Sequence, residues 1–322
     1  MNNFKKIGMT ALAASLVSTS VFAGEMTVAG SASINFENHS HAALSEAKTF
    51  SMGNQLTFSG SGELDNGMNV SLSFVLDQGD DGTLSLTNSP FDSHSVTVSS
   101  DALGTLKFSG EGGASATSSI GGTVAGNMWD NFNATKQGGV TVTNSAAGNN
   151  SFFYTLPTMV DTVAVTTSFK PQTATTSSSM GFGVSFTGVE GLTADYATTD
   201  IETPQTATTG DESAWKLSYA VGSFTLAASN VDYDLGGTAS DQEVDSYKVS
   251  YSVTDDFSVS YKVETVDTGA TTVDGEFSGV SASYTTGGMT ISANMQDGED
   301  IGNATGTANQ VDYYGLGLSF AF

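Results

Sequence analysis

Along most of this chain the apolar residues fall at every second position. In the last segment Tyr314, Leu316, Leu318, Phe320 and Phe322 alternate with Gly315, Gly317, Ser319 and Ala321. Met68, Val70, Leu72, Phe74 and Leu76 interleave with Asn69, Ser71, Ser73 and Asp77, and Tyr247, Val249, Tyr251 and Val253 with Lys248, Ser250 and Ser252. A period of two belongs to a strand, whose side chains point alternately to two faces. The abundance of Thr, Val, Tyr and Phe agrees. The pattern predicts sixteen strands, near 25–36, 47–63, 68–78, 92–100, 104–111, 150–156, 161–169, 180–188, 192–199, 213–221, 223–234, 243–253, 256–266, 276–285, 288–297 and 310–322.

The connections alternate in length. Short ones hold Asp65-Asn66-Gly67, Asp101-Ala102-Leu103, Glu190-Gly191, Gly222, Thr254-Asp255 and Gly287, which are tight-turn residues. Long ones lie near 37–46, 79–91, 112–149, 170–179, 200–212, 235–242, 267–275 and 298–309. A soluble sandwich has no reason for this regularity. A transmembrane barrel does, with short periplasmic turns and long outer loops. Sixteen strands close a barrel too wide for side chains to fill. The apolar face must then meet lipid and the Ser, Thr, Asp and Lys face must line water, as in a channel.

Composition narrows the picture further. The 322 residues include 34 Asp plus Glu against nine Lys and no Arg, for a formal charge of -25. Such a surface repels phosphate, so nucleic acid is excluded as a partner. The absence of Cys removes disulfides and thiolate metal sites. Lys5 and Lys6 precede an apolar run from Ile7 to Val17 and a small-residue stretch ending at Ala23. This reads as a secretory signal peptide over residues 1–23. The competing reading, a membrane anchor, needs about 20 apolar residues. Residues 24–322 then form one transmembrane β-barrel domain.

Several segments resemble the Gram-negative general porins of the alphaproteobacterial type. Glu25-Met26-Thr27-Val28-Ala29-Gly30-Ser31-Ala32 resembles that family's first strand. Phe58-Ser59-Gly60-Ser61-Gly62-Glu63-Leu64-Asp65-Asn66-Gly67-Met68 resembles its second strand, first turn and third strand. Phe322, after apolar residues at every second position, resembles the signal read by the outer-membrane assembly machinery. The resemblance implies a 16-stranded antiparallel barrel in the outer membrane, surrounded by its lipid and assembled as a homotrimer. It also implies a long third loop folded into each pore, here 112–149. Small residues Gly30, Ala32, Gly60 and Gly62 fit the trimer. The function implied is passive diffusion of small hydrophilic solutes and ions, with no catalysis and no required cofactor.

Family pores set wall arginines against acids on the third loop, and this chain has no Arg. Lys107, Lys216, Lys248 and Lys262 stand between apolar neighbours on their strands, so each belongs to the wet face. With Glu111 and Asp130 they are the expected pore constriction. Asp77, Asp195, Asp245 and Glu264 are expected in the lumen too, which favours cations. Asp77-Asp80-Asp81 and Asp297-Glu299-Asp300 are candidate calcium-binding loop acids, although they match no EF-hand spacing. Solvated loop acids are the plainer reading.

His39 and His41 lack a third ligand at fixed spacing. Asp92 and His94 make a triad with a Ser only in composition, because no nucleophile elbow is present. Phe36, Phe50, Trp215 and Tyr313 are expected near the membrane interfaces. A substrate-selective channel, a plugged adhesive barrel and a calcium-binding β-solenoid remain as alternatives. The last needs a short repeat that the chain lacks.

Overall fold

The computed structural model describes residues 26–40, 47–77, 91–132, 148–172, 178–202, 209–234, 241–269, 273–306 and 309–322. The expected leader, residues 1–23, lies outside them. Sixteen strands follow one another: β1 Thr27–Ser40, β2 Ala47–Glu63, β3 Asn69–Asp77, β4 Ser93–Ser100, β5 Gly104–Glu111, β6 Ser151–Thr155, β7 Val163–Lys170 and β8 Ser178–Phe186. Then come β9 Leu192–Glu202, β10 Thr209–Val221, β11 Phe224–Asp234, β12 Gln242–Ser252, β13 Phe257–Thr268, β14 Gly275–Thr286, β15 Met289–Glu299 and β16 Val311–Ala321. Each pairs antiparallel with its neighbours in sequence, and β1 pairs with β16, so the sheet is a closed barrel.

Closure leaves no edge strand, which is what a sheet needs in lipid. The seam is tight. Gly30 and Phe322 exchange both backbone hydrogen bonds, at 2.7 and 2.9 Å. The Phe322 ring lies so close over Gly30 that a Cβ there would collide with it. The short connections are turns with the required backbone. In Gly287-Gly288, between the paired residues Thr286 and Met289, the φ values are 54° and 83°. That is the two-residue turn whose twist matches an antiparallel hairpin.

The outward face carries the large apolar residues, including Leu72, Phe152, Val249, Tyr261 and Leu316, all well exposed. Aromatic rings meet across the ladder on this face. Phe36 opposes Phe50 at 4.9 Å, Phe58 opposes Phe74 at 5.0 Å, and Phe224 opposes Tyr251 at 4.8 Å. Such directly opposed pairs each add about 0.2–1 kcal/mol.

Strands β9 to β15 extend further toward the long loops than the outward apolar pattern runs. Over these outer ends the alternation reverses phase. On β11, Val231 and Tyr233 are buried inside while Asn230, Asp232 and Asp234 point out. On β12, Val244 is buried inside, while Glu243 and Asp245 share the outward row of Tyr247 and Val249. Asp245 therefore lies outside the lumen, contrary to expectation, where Asn230 donates to it at 3.1 Å. Above the apolar band the outward face meets water and accepts acids. The inward face there meets the third loop and needs apolar residues.

Candidate functional site

The third long connection joins β5 to β6 and is described up to residue 132 and again from 148. It holds a one-turn helix, α1 (Ala116–Ser119), and a 3-10 turn, Met128–Phe132. Ser115 caps α1 reciprocally with Ser118: the Ser118 amide donates to Ser115 Oγ at 3.0 Å, and the Ser115 amide to Ser118 Oγ at 2.7 Å. This box fixes orphan amides and turns the chain into the barrel.

The loop binds two rows of inward-facing wall residues. The outer row runs Ser168–Gly181–Thr199–Glu212 across β7 to β10. The Ala116 amide donates to Ser168 Oγ at 2.9 Å, and Thr117 Oγ1 donates to Glu212 Oε2 at 2.6 Å. Gly181 leaves room for the helix, since a Cβ there would lie 2.8 Å from Ala116 Cβ. The inner row runs Asp195–Lys216–Ser229–Ser246–Glu264–Phe277 across β9 to β14. Lys216 Nζ donates to the carbonyls of Ile120, at 2.9 Å, and Gly121, at the carbonyl end of α1. A cation is favourable there, because the last carbonyls lack partners. Ser229 Oγ accepts from the Val124 amide at 2.9 Å.

Glu264 is fully buried. Its carboxylate accepts from Thr123 Oγ1, from Ser246 Oγ at 2.8 Å and from the Trp129 amide at 3.2 Å. A buried carboxylate is stable only with such donors around it. Between the two rows lie Ala214, Val231, Val244 and Val266, and the loop's Ala125, Met128, Trp129 and Phe132 pack into one core with them. At the far end Asn131 donates to Gln296 Oε1 at 2.9 Å, and His39 Nε2 lies 2.7 Å from the Asn131 carbonyl. Phe132 packs against Phe277, with ring centroids 5.1 Å apart, and Tyr313, at 6.1 Å. Tyr313 thus belongs to this inner core, not to an interfacial belt. Trp215, Phe36 and Phe50 remain on the outward face.

The loop therefore lies along the wall from β7 to β16. The opposite wall, β1 to β5, keeps most of its lumen face open to solvent: Ser33, Asn35, Gln55, Ser71, Ser95, Thr97 and Lys107 are all partly or fully exposed, while His39, Val75 and Ser109 are buried. That face carries hydroxyl and amide groups and, at Lys107, a lysine.

The expected constriction residues divide in position. Lys107 is exposed in the lumen row of Thr105 and Ser109. Lys216 is spent on α1. Lys248 and Lys262 oppose one another across the β12–β13 ladder, inside the barrel. Asp130 is the exposed residue of the 3-10 turn, between buried Trp129 and Phe132 on the wall side. Glu111 follows a register shift: it pairs with His94, one step beyond the Ser95–Ser109 pair. Its carboxylate lies 3.8 Å from His94 Nδ1, in the row of Phe74 and away from that of Lys107. Asp195 and Glu264 are inside the barrel, and Asp77 ends β3 on the lumen face. Asp80, Asp81 and His41 lie outside the described residues. Among the described residues no group of three acids or histidines is arranged to hold a metal ion.

Sequence reasoning missed Glu212, Thr117, Thr123 and Ser229, which tether the loop. The signal that could have found them is the phase reversal on β11 and β12. Valines at inward positions beyond the apolar band require something apolar inside the barrel.

The profile of the Gram-negative porin family matches residues 8–322. No curated protein matches the sequence significantly. Among solved structures, the fold is similar to a porin refined at 1.8 Å resolution, with 18% identity, 92% of this chain and 100% of that chain covered, and a TM-score of 0.67. It is also similar to an anion-selective porin from Comamonas acidovorans, with 16% identity, 93% and 100% coverage and a TM-score of 0.68. A mutant porin from Rh. blastica matches with 15% identity, 92% and 100% coverage and a TM-score of 0.61. The closed sixteen-stranded wall, the loop laid along its inside and the match over nearly the whole sequence lead to one conclusion: the chain belongs to the Gram-negative porin family, the channel-forming barrels of the bacterial outer membrane.

Proposed function

We propose that this porin passes small hydrophilic solutes and ions without chemical selection, prefers cations, and works as a homotrimer. The observation that carries the open-channel reading is the one-sided attachment of the third loop. Its described part is held by β7–β16 and by His39 at the outer end of β1, and it leaves most of the hydroxyl-rich wall of β1–β5 facing water. A plug would bury that wall as well.

The cation preference rests on the field of the whole mouth. The outward and loop-side ends of β9 to β16 carry Asp200, Asp211, Asp232, Asp234, Glu243 and Asp312, among others, and the formal charge of the chain is -25. Such a field concentrates cations at the entrance. We assign Asp130 to the negative side of the constriction and Lys107, Lys248 and Lys262 to its positive side. Lys216 contributes by holding the loop. The trimer is supported by the low wall of β4 to β7, with strands of eight, eight, five and eight residues, and by outward-facing Gly60 and Gly62 on β2.

A specific observation favours a second reading. Glu212 and Glu264 are consumed by the loop, while Lys248 and Lys262 face each other at its edge. A local anion preference would follow if these lysines govern the narrowest point. Reversal potential in a KCl gradient separates the readings. Cation preference that falls in Asp130→Asn supports the first. Anion preference that is lost when Lys248 and Lys262 are both changed to Met supports the second.

A further inference from the structure

On the short-turn side of α1 the inner wall holds a pocket of about 310 Å3. Ser119 and Ile120 of the third loop roof it, and Phe153, Thr166, Ser185 and Asp195 are among its walls. Its residues come from three successive lumen rows of β6 to β9, so it opens beside the path that solutes take.

Phe153 is unusual on this wall. Its neighbours Phe152 and Tyr154 turn outward: Phe152 packs on Phe108 at 4.9 Å, and Tyr154 donates its hydroxyl to the Leu103 carbonyl at 2.5 Å. Phe153 shares the inward row of Lys107 and Ser168. It sets an aromatic ring beside Ala164, Thr166, Gly183 and Ser185 on the pocket wall.

Asp195 is the charged group of the pocket. Its carboxylate is partly buried and accepts no hydrogen bond from any described residue. Its ladder partner Lys216 feels its charge but gives its hydrogen bonds to the carbonyls of Ile120 and Gly121. Lys107 is exposed in the lumen and does not line the pocket. A partly desolvated carboxylate without donors gains from a ligand that supplies them. A ring face attracts the same kind of ligand, a cation on an apolar body. Ser119, Thr166 and Ser185 offer acceptors for the remaining N–H groups. Inorganic divalent ions are poorly served, since they need several oxygen ligands of which at least some are charged.

From this juxtaposition we infer that the pocket is a binding station for small organic ammonium ions, with Asp195 pairing their charge and Phe153 covering their apolar part. The inference deepens the reading of the lumen as a solute path and rests on it for its biological meaning. The pocket is concave, mixed in polarity and within the size range of small-molecule sites.

The test is direct binding to the purified full-length protein in detergent, by calorimetry at constant ionic strength. The probes are benzylammonium chloride and its neutral counterpart, benzyl alcohol. Saturable binding of one benzylammonium per chain is expected, with clearly weaker binding of the alcohol. Asp195→Asn should lower the ammonium affinity about tenfold or more, as expected for losing hydrogen bonds to a charged group. Phe153→Leu, which keeps apolar volume and leaves Lys216 undisturbed, should lower it about threefold. Equal binding of the two probes, unchanged affinity in Asp195→Asn, or no saturable binding would overturn the inference. Conductance in a planar bilayer is read separately. Open steps without ammonium binding remove the station and leave the porin. Binding without conductance supports the station and removes the solute path.

Discussion

Glu264 shows how one residue can look like a pore charge and serve another purpose. Sequence parity places it on the inward face correctly. It cannot show that Thr123, Ser246 and the Trp129 amide close over the carboxylate, because those partners stand far away in the chain. Glu264→Ala would strand buried donors, at about 1–3 kcal/mol for an unsatisfied group. The loop should then detach more often. We expect noisier single-channel currents and, in a Trp215→Phe background, a red-shifted emission from Trp129, which is 7% exposed in the tethered state. Unchanged noise together with unchanged emission would remove Glu264 from the tether. Lys216 follows the same logic. Its facing was legible, but its bonds to the Ile120 and Gly121 carbonyls depend on how a loop of many small residues folds. Glu111 is expected at the constriction because the third loop begins beside it, and the register shift beside His94 turns it instead into the outward row. A bulge is a local event that leaves little trace in a sequence with Gly at so many positions.

At the scale of the strand, the fold was almost wholly legible. All sixteen strands stand where the period of two puts them, and Gly222 and Gly287 mark turns as read. The strand ends at the outer side were less legible. Segment 209–212 reads as loop because it holds Gly, Asp and Glu, yet it extends β10 and carries the tether Glu212. The reversal of alternation explains both this and Asp245. It also gives a paired prediction on one outward row of β12. Val249→Lys sits within the apolar band and should destabilise the barrel by about 2–4 kcal/mol, whereas Asp245→Lys sits beyond it and should cost about 0–1 kcal/mol. Urea unfolding in vesicles measures both. Similar losses at the two positions would mean that the apolar band does not end between them.

Across the whole molecule, the third loop is joined mainly to strands that come after it in the chain. Its partners run from Ser168 on β7 to Gln296 on β15, with Tyr313 on β16 and His39 on β1 closing the set. Contacts of such separation in sequence are slow to form, because the intervening chain must be ordered first. The docking of the loop should therefore follow the closure of the barrel. In refolding into vesicles, far-ultraviolet circular dichroism should report strand formation before Trp129 acquires its buried emission, again with Trp215 replaced by Phe. Simultaneous signals would mean that the loop docks as the wall assembles. If the lag is present, a barrel caught before docking is a wide, ungated hole. A cell that inserts many copies at once is then exposed to leakage for as long as the loop takes to find its rows.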